Sequence, residues 1–152
     1  MGTSTNGEIC YGIICDEGAE FPWDERGEIE EWWLLDVLKY KSPFELYDHK
    51  GQYINGVVPS KDKLSEYYDH RHSFLKANPL PVELVNYCSL DYPIYILAVP
   101  GSIKRASRGY PIVFDPAKLT VSFDQVQALL DFCEDHGIEV GEAGWVLSSY
   151  WG

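Results

Sequence analysis

The sequence predicts an α+β fold, a mixed sheet with two to three helices packed on it, in a single compact domain spanning residues 1–152. Three observations carry this expectation. Residues 92–99 (YPIYILAV) form a near-continuous apolar run, the mark of a central strand buried on both faces. Ser122-Phe123-Asp124-Gln125 is a capping-box pattern that opens a helix with one apolar face. The segments follow one another in the order β-α-(hairpin)-α-β-β-α-β, and no repeat or low-complexity linker divides the chain.

Each element has its own reason. Residues 8–14 (EICYGII) are β-branched and aromatic and are bounded by Gly7 and the Asp16-Glu17-Gly18 turn, so they read as a strand. Residues 16–27 are turn-rich and read as a loop. Residues 28–40 fit a short helix with Glu in its first turn and Lys39 at its end, as the helix dipole prefers. The four apolar residues 32–35 within it are equally compatible with a strand. A small hairpin is expected around Asp48-His49-Lys50-Gly51. Ser60 caps a helix over residues 61–77, whose Leu64, Tyr67, Tyr68, Arg71, Phe74 and Leu75 recur near 3.6 spacing. Asn78-Pro79 stops it.

Residues 82–87 and 92–99 read as strands, with Pro93 at the start of the second, where no ladder donor is required. Residues 100–111 read as a long basic loop and 111–114 as a short edge strand. The helix from Ser122 presents Val126, Leu129, Leu130 and Cys133 on one face and ends at Gly137. Residues 145–151 (WVLSSYW) read as a terminal strand.

Composition excludes several classes. The chain has 152 residues, with 24 Asp+Glu against 12 Lys+Arg and a net charge of −12. A 45% hydrophobic content excludes disorder, and the negative charge excludes bulk binding to nucleic acid or anionic lipid. The first seven residues lack a basic and apolar leader, and the apolar runs are too short to span a bilayer. A membrane partner is therefore not expected. Cys10, Cys15, Cys88 and Cys133 form no CxxC pair and sit in apolar segments, so buried reduced thiols are expected and no metal site. No nucleotide-binding glycine motif is present, and no cofactor is expected.

The charge is uneven. Residues 16–36 hold nine acids and one base, a net −8, interleaved with Phe21, Trp23, Trp32 and Trp33. One reading is a solvated segment whose aromatics anchor it to the core. The other is a docking surface for a basic partner, with Glu20, Trp23, Asp24, Glu25, Glu28, Glu30 and Glu31 as contact residues. A calcium loop does not fit, because the alternating ligand pattern is missing. A second acidic segment, Asp124, Asp131, Glu134, Asp135, Glu139 and Glu142, contains no base. Lys104, Arg105 and Arg108, with Lys118, make a basic island that either neutralises an acidic face of the chain or binds an anion or ligand.

No catalytic residues emerge from the sequence. His70 and His72 are two apart on a helix and face different ways, and Asp69 and His72 make at most a surface pair. His49 lies in a turn and His136 near a helix end, where positive charge is favoured. Glu83, Asp91 and Asp115 adjoin strand ends, where active-site carboxylates often lie, with nothing to show that any two converge.

A set of segments then points to a family. These are the Met1-Gly2-Thr3-Ser4-Thr5 start, Cys10-Tyr11-Gly12, Glu17-Gly18-Ala19-Glu20-Phe21-Pro22-Trp23 and Glu30-Glu31-Trp32-Trp33. With them go residues 81–89, 91–98 and 107–111, and the Leu147-Ser148-Ser149-Tyr150-Trp151-Gly152 end. Together they resemble small accessory proteins of tailed bacteriophages and prophages. The resemblance implies a setting in the host bacterial cytoplasm and carries over no catalytic residues. In that setting the leading expectation is stoichiometric binding of a host protein complex, as in anti-CRISPR or anti-restriction inhibition. A nucleic-acid-binding defence complex is the partner that acidic charge suits, without direct nucleic-acid contact and with a homo-oligomer as a further option. The alternatives are a small enzyme or small-molecule binder using residues 88–91 and 101–110, and a virion-associated structural protein.

Overall fold

The structure, a computed structural model, describes residues 5–16, 18–26, 29–47, 52–89, 91, 93–139 and 141–151. Its α+β class is the expected one: among the described residues, a five-stranded mixed sheet and three α-helices. The chain divides into two compact units, residues 1–25 with 81–152 and residues 26–80.

The first unit holds the sheet. Its strands are β1 (Thr5–Ile14), β2 (Glu83–Ser89), β3 (Pro93–Ala98), β4 (Lys104–Ala106) and β5 (Gly144–Trp151). β1 pairs antiparallel with β5 along eight residues, from Thr5↔Trp151 to Gly12↔Gly144. Its other edge is shared: residues 7–9 pair with β4 and residues 12–14 with β3. β2 pairs antiparallel with β3 and, among the described residues, meets β5 in parallel at Cys88↔Tyr150 and Ser89↔Trp151. Strands β1, β5, β2 and β3 thus close a ring. Three antiparallel ladders and one parallel ladder cannot close a regular barrel, because chain direction must reverse an even number of times around it. The ring closes through a two-residue bridge at a kink, where Cys88 has φ 76°.

Alternation along these strands sorts the core. Cys10, Val85, Ile96 and Ala98, one or more from β1, β2 and β3, form a buried cluster with Tyr87, Ile103 and Val146 packed on it. Ile13 and Leu97 alternate to the opposite face and are fully buried. β3 is paired on both edges and residues 96–99 are buried without a break, as the apolar run predicts. Ser122 caps the helix α3 (Phe123–Asp135) through the reciprocal capping box with Gln125. α3 buries Leu129, Phe132 and Cys133, and Cys133 lies near enough to Cys15 for their charges to interact.

Two expectations are corrected in this unit. The basic loop contains a strand, because Lys104–Ala106 complete the open edge of β1. The edge strand expected at 111–114 does not form. Pro111 lacks an N–H, and beyond the Ser107↔Tyr110 bridge the chain runs exposed and irregular.

The second unit is helical. The helix expected over 28–40 is a short α1 (Ile29–Trp32) followed by a π-type turn over Trp33–Val37, in which Leu38 N–H donates to the Trp33 carbonyl at 2.8 Å. Trp32, at the end of α1, and Trp33 and Leu34, in the widened turn, are all buried. Lys39 then takes a left-handed conformation, φ 52°, that ends the segment. α2 (Lys61–Ala77) starts at Ser60, whose hydroxyl accepts from Lys63 N–H, and Asn78 ends it. Leu64, Tyr67, Arg71, Phe74 and Leu75 form its half-buried face, whereas Tyr68 is exposed. Tyr40 hydroxyl and His70 Nδ1 are hydrogen-bonded at 2.7 Å, and Arg71 pairs with Glu31. The hairpin expected around residues 48–51 and His49 lies outside the described residues, although Tyr47 and Tyr53 on either side of it form an antiparallel bridge.

Candidate functional site

The acidic residues of the first unit come together where its chain turns back after β1. Gly18, at φ 79°, allows the turn in which Ala19 N–H donates to the Asp16 carbonyl at 3.0 Å. The loop is then pinned from inside. Phe21 stacks on Trp23 at 4.4 Å and meets Tyr95 of β3 edge-on at 5.9 Å, and Phe21 N–H donates to Asp24 Oδ2 at 2.9 Å. From the other side arrives the end of α3. Gly137, at φ 63°, ends the helix, Ile138 N–H donates to the Cys133 carbonyl at 2.9 Å, and the Ile138 side chain is buried. That places Glu139 beside the loop. The result is a cleft of about 450 Å³ lined by Asp16, Gly18, Ala19, Glu20, Phe21, Gly137, Ile138 and Glu139. Two acidic segments more than a hundred residues apart in sequence thus meet in one concave site, with three carboxylates and no base among its lining residues.

The expected docking residues are distributed differently from the sequence pattern. Glu20 is on the cleft, and Asp24 and Glu25 are exposed nearby in the chain, with Asp24 also closing the turn on Phe21. Trp23 is 3% exposed, so its ring anchors the loop and offers no contact surface. Trp32 and Trp33 are buried as well. Glu30 is exposed and Glu31 is held by Arg71, both in the second unit. Glu28 lies outside the described residues. Asp16 and Glu139, absent from the expected contact set, are the additions. Their signal in the sequence is the glycine near each, Gly18 and Gly137, which marks where the chain turns.

Division by unit sharpens the electrostatics. The first unit carries fifteen acids and four bases, a net −11, and the second nine acids and eight bases, a net −1. Lys104, Arg105 and Lys118 with Arg108 are all the bases of the first unit. Arg105 Nε donates to the buried carboxylate of Glu8 at 2.8 Å, the internal neutralisation that is one of the two readings of the island. Lys104 precedes it on β4 and therefore points to the other face, and Arg108 is anchored by its backbone N–H on Asn6 Oδ1.

Other chemistry is sparse among the described residues. No group of three His, Cys, Asp or Glu side chains is placed to hold a metal, and no helix is long and apolar enough to cross a membrane. His136 packs on Phe132, Asp115 caps the turn at Pro116–Lys118, and Glu83 and Asp91 stand at the start and beyond the end of β2. An apolar groove of about 640 Å³ passes Cys88 and Ser89, but none of residues 101–110 lines it. All four cysteines are free; Cys10, Cys15 and Cys133 are buried, and burial pushes each thiol up to about 11. Cys88 is exposed, contrary to the expectation of four buried thiols. In dilute native protein at about pH 8, Ellman's reagent should therefore titrate one thiol quickly, and all four after denaturation. Two or more fast thiols would show that the ring core opens readily.

Compared with family models, curated proteins and solved structures, the chain matches none.

Proposed function

We propose that this protein acts by stoichiometric binding of a basic macromolecular partner through the acidic cleft and the charged face of its first unit. The convergence of Asp16, Glu20 and Glu139 in one cleft carries the reading. A concave group of carboxylates on a unit of net −11 attracts a lysine- or arginine-rich surface, raises its rate of encounter and repels nucleic acid. The resemblance to phage accessory proteins supplies the setting: a host defence complex whose nucleic-acid groove an acidic protein occupies. Turn chemistry and a buried aromatic stack fix the cleft before any partner arrives, so little ordering entropy opposes binding.

The test is charge reversal. A chain with Asp16→Lys, Glu20→Lys and Glu139→Lys is expected to fold, since none of the three carboxylates is buried. In a host carrying a restriction or CRISPR system, the wild-type chain should restore phage plating, and the triple variant should lose that by about tenfold or more. Glu66→Lys, on the exposed side of α2, should behave as wild type. Equal protection by the triple variant would remove the cleft from the function.

A further inference from the structure

The first unit presents an apolar arm and an apolar groove, both open. Residues 107–118 are twelve consecutive exposed positions, and at their centre are Tyr110, Ile112, Val113 and Phe114. Val113 is 102% exposed, so its own chain shelters none of it. A run of apolar side chains left in water is the mark of a surface with a partner. The groove lies along β5. It is lined by Ile14, Tyr87, Ile94, Val146, Leu147 and Trp151, with Cys88 and Ser89 at its side. β5 is unusual in the same place: its burial alternates regularly, yet Leu147 is 80% exposed and Trp151 more than half, while the inward position 148 is a serine. Among the described residues β2 pairs with β5 only at residues 150 and 151, so residues 144–149 have an unpaired edge on that side.

We propose that two copies of this chain exchange arms around a two-fold axis. The apolar centre of each arm, residues 110–114, lies in the β5 groove of the other copy as a short added strand. Lengths agree: five extended residues span about 17 Å and the six residues of the open edge about 20 Å. Pro111 is acceptable there, because an added edge strand donates on alternate residues only. Area agrees as well. With aromatic side chains of about 150–250 Å², the exposed parts of Tyr110, Ile112, Val113 and Phe114 amount to roughly 500 Å². A two-fold exchange buries one arm and one groove on each copy, roughly 1,000 Å², against the ~800 Å² per partner of a stable interface. Charge points to a second copy rather than to another apolar strand. With Arg105 taken up by Glu8, the other three bases of the first unit, Lys104, Arg108 and Lys118, still lie around the arm, and the unit outside residues 104–118 is −14, Glu8 included. Exposed Asp91, in the turn after β2, is close in sequence to the groove residues Cys88 and Ser89. The arm therefore matches the groove in polarity, and its basic flanks oppose the net negative charge of the rest of the unit. This assembly uses neither Asp16, Glu20 nor Glu139, so it stands apart from the proposed function.

Sedimentation of the full chain at up to about 100 µM tests it. The expected result is twice the chain mass for wild type. Val113→Asp with Phe114→Ser should give the monomer mass, and so should Leu147→Glu. All three positions are exposed, so both variants should still fold, seen as cooperative thermal melts with midpoints below wild type only by the lost association. Mixing the arm variant with the groove variant should restore part of the dimer, since one intact arm can still meet one intact groove. Alkylation of Cys88 should be about tenfold slower in the wild-type dimer than in the monomeric arm variant. The triple variant Asp16→Lys, Glu20→Lys, Glu139→Lys should leave the dimer intact. A wild type that is monomeric at the highest concentration overturns the proposal, as does an arm or groove variant that remains dimeric. A monomer whose Cys88 is protected only by an added apolar dye also overturns it, and assigns the groove to a small apolar ligand.

Discussion

Gly12→Ala should unfold this protein more readily than almost any other single methyl group could. Gly12 sits in a row of small residues across the ring, with Ala98 of β3 on one side and Gly144 of β5 on the other. A Cβ at residue 12 would run into the Leu97 carbonyl oxygen and come within 2.9 Å of Ala98 Cα and Ile96 Cγ2. Two of those three neighbours are backbone of the central strand, which is paired on both edges and cannot step aside. The φ of Gly12 is an ordinary extended one, so the cost arises from space alone. We expect a loss of about 3–5 kcal/mol, read as a fall in the urea midpoint and a Tm lower by roughly 10 °C. Gly7→Ala in the same strand is the control. Nothing lies within 4 Å of its Cβ position, so the change should be neutral or slightly stabilising. If Gly12→Ala stays within about 1 kcal/mol of wild type, β1 and β3 do not approach as described and the ring is not closed.

That tight row also explains why much of the fold, but not its closure, is legible in the sequence. Local signals act over a few residues, and they hold in the structure: the Ser122–Gln125 capping box, the Ser60 cap, the Asn78-Pro79 stop and the apolar run of β3. Pairing is a long-range property. Nothing in Lys104-Arg105-Ala106 resembles a strand, and it becomes one because residues 7–9 of β1 leave an edge to be completed. Conversely, residues 111–114 have strand-forming side chains, yet among the described residues they join no strand of their own chain. The segment at 28–40 departs from a regular helix for another reason. Three large side chains in succession, Trp32, Trp33 and Leu34, are buried there, and a π-type turn has no pattern of its own in sequence.

The candidate site is half legible. Acidic density along the chain draws attention to residues 16–36, yet that segment divides between two units and its aromatics are inside. The carboxylate that completes the cleft, Glu139, comes from the far end of the chain. Only the packing of α3, with Ile138 buried as its last anchor, brings it there. Linear charge patterns show how much charge a chain carries. Where that charge concentrates is decided by turns such as those at Gly18 and Gly137.

Between pH 9 and 11 the protein should lose most of its stability, because the thiols of its core cannot ionise in place. Cys10 is pushed up to about 11 by burial, with the charges of Glu8 and Glu83 adding to the rise and Arg105 opposing it. Cys15 is pushed up to about 11 by burial and Asp16, against a hydrogen bond at Leu97 that lowers it, and Cys133 to about 11 by burial and Cys15. All three side chains are at most 3% exposed. In the unfolded chain the same thiols ionise at 9.0. Below pH 9 both states hold their protons and stability is full. Between 9 and 11 the unfolded chain releases protons that the folded chain retains, so the equilibrium moves toward unfolding with each step in pH. Above 11 both states are ionised and the slope vanishes. Each thiol contributes about 1 kcal/mol per pH unit in that window, and three together remove on the order of 5 kcal/mol, comparable to the whole stability of many domains. Tyr67 and Tyr87, both raised by burial, add in the same direction, but only once the ordinary phenol range near 10 is reached. Urea midpoints taken from pH 7 to 11 should therefore stay level and then fall steeply from pH 9. Cys133→Val should remove about a third of the thiol slope, while Cys88→Ala, at an exposed position, should leave it unchanged. A midpoint that stays level through pH 11 would mean that these thiols reach solvent in the folded state, and that the core of the ring is wet.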